Sequence, residues 1–179
     1  MTTKTYTPPN APSQAMLTDR ELRTVEVNDD PRKGIAEWTV DVLPNGDFCV
    51  VVEGSRAVPN WIVDVFGRMM SFMDLKANWD SYGAPPIDRA VAPYGLELLL
   101  TVSLPDTPQP SVVPLSSGGV QFEWHCRGID LEIEIPGPGR YAVLYTRDGE
   151  DVELEGHRGD FPAHREALLH CVRSLAGSD

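Results

Sequence analysis

Between residues 110 and 155, apolar and polar side chains alternate, which is typical of β-strands with one buried face. Arg127-Gly128 suits a two-residue turn and therefore predicts an antiparallel strand pair. One face of this pair joins apolar side chains: Trp124 with Leu131, Phe122 with Ile133, and Val120 with Ile135. The other face joins polar ones: Glu123 with Glu132, Gln121 with Glu134, and His125 with Asp130. Because a shift of one residue would turn the acids into the core, the pattern strongly specifies this register.

Further turns extend the pair into a β-meander. Pro136-Gly137-Pro138-Gly139 leads into a strand at 141–146, and Asp148-Gly149 leads into one at 152–154. The register of this last hairpin stays open, because a two-residue and a three-residue loop place Leu154 on opposite faces. Upstream, Asn45-Gly46 predicts another hairpin between residues 35 and 53, with Val40 opposite Val51 and Val42 opposite Cys49.

Three segments show helical periodicity instead. Apolar residues at steps of three and four over 61–73 predict an amphipathic helix of about four turns, followed by a loop at 78–86. A second helix begins at Asp88, or nearer Val91, where Pro93 would lie harmlessly in the first turn. A third begins after Asp160, a potential N-cap, and covers the apolar face of the meander.

Together these elements predict an α+β fold. An antiparallel sheet, made of the N-terminal hairpin and the C-terminal meander, packs against about three helices. Residues 1–15 contain few apolar side chains and predict a disordered tail, and residues 16–179 are long enough for one domain.

The charge narrows the range of partners. The chain has 27 acidic and 15 basic residues and a formal net charge of −12. Such a chain repels phosphate backbones and anionic lipid surfaces, so we expect no direct nucleic-acid binding and no membrane association. The charge suits a soluble protein, a protein partner with a basic surface, or mimicry of nucleic acid. It does not determine the oligomeric state.

Cysteine usage and the N-terminus favour a cytoplasmic location. Cys49, Cys126 and Cys171 form no CxxC pair or disulfide framework, which fits a reducing compartment. The N-terminal residues lack the apolar core of a signal peptide. No stretch approaches the ~20 apolar residues of a membrane span.

Two segments carry a family resemblance. The run Asn78-Trp79-Asp80-Ser81-Tyr82-Gly83-Ala84-Pro85-Pro86-Ile87 and the run from Gly118 to Trp124, followed by the acidic LEIEI strand, resemble a widespread group of small bacterial proteins. The group has a (G/N)WDxxGAxxI loop and a GGVxxEW strand, and the match spans residues 75–146. It implies bacterial or mobile-element origin and no particular reaction. Asn78 stands where glycine is common in the group.

The Trp79–Gly83 loop is the first candidate site. As a structural loop, it would use Trp79 and Tyr82 to plug the core edge, Asp80 to accept backbone hydrogen bonds and Gly83 for its positive φ. As a functional loop, it would bind a partner from a rigid scaffold.

The acidic meander face is the second candidate. Glu123, Glu132 and Glu134 could form a solvated surface partly neutralised by Arg140 or Arg147, or a docking surface for a basic protein. A pair of hydrolytic carboxylates is a third option, but strand acids exposed to solvent would not be desolvated as such chemistry requires.

Other catalytic and metal-binding patterns are weak. His125 and Cys126 are strand neighbours and point to opposite faces. His157, His164, His170 and Cys171 lack the i, i+4 spacing of helical metal ligands. GxSxG, Walker A, GxGxxG and HExxH are absent from the sequence. We therefore predict no catalytic set, no cofactor and no metal site.

Three functional hypotheses follow. The leading one is an acidic, non-enzymatic protein-binding module of the inhibitor, antitoxin or immunity type. It would bind through the carboxylates and loop side chains Glu123, Glu132, Glu134, Trp79, Asp80 and Tyr82. The second is a small hydrolase or nucleotide-handling enzyme using Asp80, His125 or Glu123. The third is a subunit of a larger complex, assembled through the free edge of the meander.

Overall fold

The computed structural model describes residues 4–6, 36–42, 48–54 and 59–177. The chain divides into two compact units, residues 1–57 and 58–179. The first contains the strands β1 (Lys4–Tyr6), β2 (Ala36–Val42) and β3 (Phe48–Gly54). The second contains the helices α1 (Ile62–Phe72), α2 (Val91–Val102) and α3 (Phe161–Ala176). Its strands are β4 (Ser111–Pro114), β5 (Val120–Cys126), β6 (Ile129–Gly137), β7 (Arg140–Arg147) and β8 (Glu150–His157). These elements confirm the predicted α+β class.

The three strands of the first unit form an antiparallel sheet in the order β1-β3-β2. Val40 pairs with Val50 and Val42 with Phe48, one residue from the pairing predicted for a two-residue Asn45-Gly46 turn. That predicted register, Val40 with Val51 and Val42 with Cys49, was therefore wrong. The observed register leaves five residues, 43–47, between the paired residues Val42 and Phe48, instead of the two-residue turn that was predicted. Residues 43–47 lie outside the described residues.

The predicted tail, residues 1–15, lies largely outside the described residues. Its described part, Lys4–Tyr6, pairs with β3. The single domain predicted for 16–179 stays a prediction.

The five strands of the second unit form one antiparallel sheet in the order β4-β5-β6-β7-β8. All the pairs predicted between β5 and β6 are present, on the apolar and the polar face alike. The turn between β7 and β8 contains two residues, and this decides on which face Leu154 lies. Asp148 and Gly149 both have positive φ, 48° and 86°, and Leu154 pairs with Val143 on the apolar side.

The helices follow the predicted periodicity. Helix α2 begins at Val91, the later of the two alternatives, so Pro93 lies in its first turn. Helix α3 begins after Asp160 with Pro162 in its first turn. The carboxylate of Asp160 does not cap α3. It accepts a hydrogen bond from the N–H of His157 at 2.9 Å.

Helices α2 and α3 both contact β6, α2 also contacts β5, and α3 also contacts β8. The core contains Phe122, Leu131 and Ile133, each fully buried. Gly95 lets α2 approach the sheet closely, because a Cβ there would lie 3.1 Å from Cζ of Phe122. Glycine has a low helix propensity, but at position 95 it permits this close packing.

None of the helices in the described part of the chain combines the length and the apolar character that a membrane crossing requires.

Candidate functional site

Two side chains hold the backbone of the 78–84 loop. Asp80 Oδ1 accepts hydrogen bonds from the N–H groups of Tyr82, at 2.8 Å, and Ala84, at 3.1 Å. Asn78 Oδ1 accepts one from the N–H of Gly83 at 2.8 Å, and the Asn78 N–H donates to the carbonyl of Ala84 at 2.7 Å. The loop therefore has a defined conformation built from its own residues.

Three residues of this loop have left-handed backbone conformations: Asn78 at φ 65°, Ser81 at 67° and Gly83 at 96°. The expected positive φ of Gly83 is confirmed. Asparagine tolerates this region better than most residues with a side chain. Asn78 therefore adopts a conformation that glycine would also adopt readily.

Trp79 and Tyr82 have different surroundings. Trp79 is half-buried, and its indole Nε1 donates to the carbonyl of Pro85 at 3.1 Å. Tyr82 is 93% exposed, so the expectation that it plugs the core edge was wrong. Ala84 is buried instead. Tyr82 lies between the left-handed residues Ser81 and Gly83, and its side chain is in solvent.

The hydrogen bonds at Asp80 also affect its ionisation. The N–H groups of Tyr82 and then Ala84 stabilise the charged form and lower the pKa of Asp80 below its ordinary value. A carboxylate of this kind is a structural acceptor and a poor proton donor near neutral pH.

The loop is joined to the start of β5. The N–H of Asp88 donates to the carbonyl of Gly118 at 2.9 Å. Gly118 has φ 92°, and a Cβ there would lie 3.1 Å from the carbonyl oxygen of Pro86. A Cβ at Gly119 would overlap the carbonyl oxygen of Ile135. The segment before α2 and the turn before β5 thus pack closely against each other.

Hydrogen bonds and a short contact link four polar side chains of the acidic face. Glu123 accepts a hydrogen bond from Nε2 of Gln121 at 3.0 Å, and its other oxygen lies 3.8 Å from Nε2 of His125. Nδ1 of His125 lies 2.8 Å from Oδ1 of Asp130. This hydrogen bond to Asp130, followed by the charges of Asp130, Glu123 and Glu132, raises the pKa of His125. Protonation of His125 would offset part of the negative charge of the acidic face.

The solvent-accessible part of this face lies toward β8. The predicted docking carboxylates Glu123, Glu132 and Glu134 are half-buried, and Gln121 is buried. The exposed acids of the face are Asp130, Asp151, Glu153 and Glu155. Leu144, 48% exposed, lies between the two groups on β7.

A cleft of about 410 Å³ opens at one end of the sheet. Its polar lining consists of Glu134, Arg140, Tyr141, Glu155, His157 and Asp160. The hydroxyl of Tyr141 lies 2.8 Å from Nδ1 of His164, and burial raises the pKa of Tyr141. Sequence reasoning missed this cleft, because its residues come from β6, β7, β8 and the 3₁₀ turn Arg158–Asp160. The signal in the sequence was the alternation of acidic and apolar residues, which suggested that Glu134 and Glu155 extend one acidic face.

The residues of the enzyme hypothesis do not form a desolvated site. Asp80 makes its hydrogen bonds within its own loop. Glu123 and His125 come within 3.8 Å, but the side chain of His125 is 56% exposed. Cys171 is buried, which raises its pKa to about 11 and leaves little nucleophilic thiolate. In the described ranges, no group of three or more His, Cys, Asp and Glu residues could hold a metal ion.

Comparison of the chain with known protein families, with curated proteins and with solved structures gives no match.

Proposed function

We propose that the protein is an acidic, non-enzymatic protein-binding module of the inhibitor, antitoxin or immunity type, acting in bacterial defence or counter-defence. It would bind a basic surface of a protein partner in the cytoplasm. The bacterial setting rests on the family resemblance of residues 75–146.

The observation that carries the proposal is the exposed acidic half of the sheet. Asp130, Asp151, Glu153 and Glu155 present carboxylates to solvent on one face, opposite the face on which α2 and α3 pack. Carboxylates of one sign on a rigid sheet attract a positively charged protein and accelerate its association. Leu144 supplies an exposed apolar side chain among them.

Tyr82 is a second support. Its ring is 93% exposed, yet its loop is held by Asp80 and Asn78. An aromatic side chain on a preorganised loop loses little conformational entropy on binding, and tyrosines are common among residues that dominate interface energies. In this proposal, Asp80 holds the conformation of the loop and Tyr82 contacts the partner.

Charge reversal tests the role of the face. The double variant Asp151→Lys and Glu155→Lys, at two of these exposed positions, should lose its partner in affinity capture from the organism that carries the gene, and the loss should be greater at low salt. The matched control is Asp106→Lys with Glu166→Lys, which makes the same change in net charge at exposed positions outside the sheet. Equal capture by wild type and the sheet variant would refute docking by this face.

Truncation tests the role of the loop. Tyr82→Ala should leave the unfolding temperature unchanged, because the ring is in solvent, and should reduce capture of the same partner by at least about tenfold in affinity. Unaltered affinity would remove Tyr82 from the interface and leave the acidic face as the proposed surface.

A further inference from the structure

Strand β8 is an edge of the five-stranded sheet. Among the described strands it pairs with β7 alone. An edge strand presents backbone N–H and C=O groups that can pair with another extended chain. At eight residues, β8 is long enough to bind one.

The register shows which backbone groups face outward. Arg147 and Glu150 flank the two-residue turn and so form a hydrogen-bonded pair. In an antiparallel ladder such pairs alternate with non-hydrogen-bonded ones, whose N–H and C=O groups point away from the partner strand. The outward-pointing residues are therefore Asp151, Glu153, Glu155 and His157. The N–H of His157 bonds to Asp160, so the row available for pairing runs from 151 to 155.

The same three residues also carry exposed acidic side chains. Asp151, Glu153 and Glu155 point to the acidic face, one after another, and all are exposed. A second copy of β8 would bring carboxylates beside carboxylates, which destabilises a strand pair. An extended segment with lysine or arginine at alternate positions would place opposite charges there instead.

We propose that β8 binds an extended basic segment of the partner protein, which adds to the sheet as a strand beside Asp151, Glu153 and Glu155. This inference rests on the proposed function and names its binding mode. Backbone hydrogen bonds supply the affinity, and the three carboxylates select basic side chains.

A synthetic peptide tests this binding mode directly. The probe is an eight-residue peptide of alternating lysine and valine with both ends blocked, added to the full-length ¹⁵N-labelled protein. Amide hydrogen exchange at Asp151, Glu153 and Glu155 should slow by at least about tenfold at saturation, because these N–H groups gain partners. Exchange at Val152 and Leu154, which already pair with β7, should change little. Unchanged exchange at all three outward amides would overturn the proposal.

Two peptide controls separate strand pairing from general attraction. A peptide N-methylated at alternate residues keeps its charge and loses the donors that would face β8, so it should give no protection. A peptide with glutamate in place of lysine should not bind. Equal protection by either control would overturn the proposed mode.

A variant of the protein supplies a third control. Glu153→Pro removes an outward donor, and proline is tolerated at edge positions whose N–H does not pair, so the ladder with β7 should persist. Protection at Asp151 and Glu155 should then be lost. Should this variant fail to fold, the N-methylated peptide still decides the question. Protection of these amides without peptide, together with a dimer in light scattering, would identify a second copy as the occupant and overturn the proposal.

The two proposals fail in different ways. A partner that binds Glu153→Pro normally but not the Asp151→Lys, Glu155→Lys variant would refute strand addition and leave docking by the acidic face intact. A partner lost by neither variant would refute both.

Discussion

The backbone N–H of Asp88 donates to the carbonyl oxygen of Gly118 at 2.9 Å, and this bond joins the loop before α2 to the turn before β5. Thirty residues of sequence separate the two groups. The glycines at 118 and 119 make the contact possible, since a side chain at either position would meet Pro86 or Ile135. The bond between Asp88 and Gly118 thus joins two segments whose glycines permit close backbone packing.

Gly119→Ala should destabilise the protein by about 1–3 kcal/mol or more, because the added methyl group overlaps the carbonyl oxygen of Ile135 and the backbone must move. Denaturant unfolding monitored by tryptophan fluorescence measures the change. Gly159→Ala is the matched control, since a Cβ there meets nothing within 4 Å. Equal stability of the two variants would show that the Gly119 contact is not close.

Ile133→Ala should cost about 2–5 kcal/mol, because the side chain is fully buried on the helix-covered face and its removal leaves a cavity. Leu144→Ala, on a neighbouring strand but 48% exposed, should stay within about 0.5 kcal/mol of wild type. The difference in unfolding free energy tests the register of the meander. A larger loss for Leu144→Ala would mean that the faces are assigned the wrong way round.

The pKa of His125 should lie above the ordinary histidine value and should fall in Asp130→Asn, since the bond to Asp130 is the main cause of the shift. A histidine whose pKa is higher in the folded than in the unfolded state stabilises the folded protein at pH values below the unfolded-state pKa. This stabilisation is lost as the pH rises through the folded-state pKa. Asp130→Asn should therefore be more destabilising in mildly acidic than in alkaline buffer. NMR titration and denaturation at both pH values check this, with Asp106→Asn as the control. A His125 titration unaffected by Asp130→Asn would contradict it.

Cys171 should resist alkylation in the native protein. Its thiol is buried and its pKa is raised to about 11, so at pH 8 only roughly one thiol in a thousand is ionised. Cys126, which is half-buried, should react with iodoacetamide before Cys171 does. Peptide mass spectrometry distinguishes the two sites, and both should react in guanidinium chloride. Rapid native modification of Cys171 would indicate that α3 opens readily from the sheet.

The sequence alone determined those elements in which the spacing of apolar residues identifies the buried face. Alternation specified the register of β5 and β6, because a shift of one residue would bury Glu132 and Glu134. Apolar residues at helical spacing likewise indicated α1, α2 and α3. Local chemistry also predicted the hydrogen bonds of Asp80 and the positive φ of Gly83.

The tertiary structure decided how distant segments meet. The contact of Gly119 with Ile135 and the cleft beside Tyr141 depend on the packing of elements far apart in sequence. The edge position of β8 depends on the strand order, which its own residues do not encode. Alternation along a strand reports burial on two faces, whereas neighbours across the sheet are selected by the packing of the whole unit.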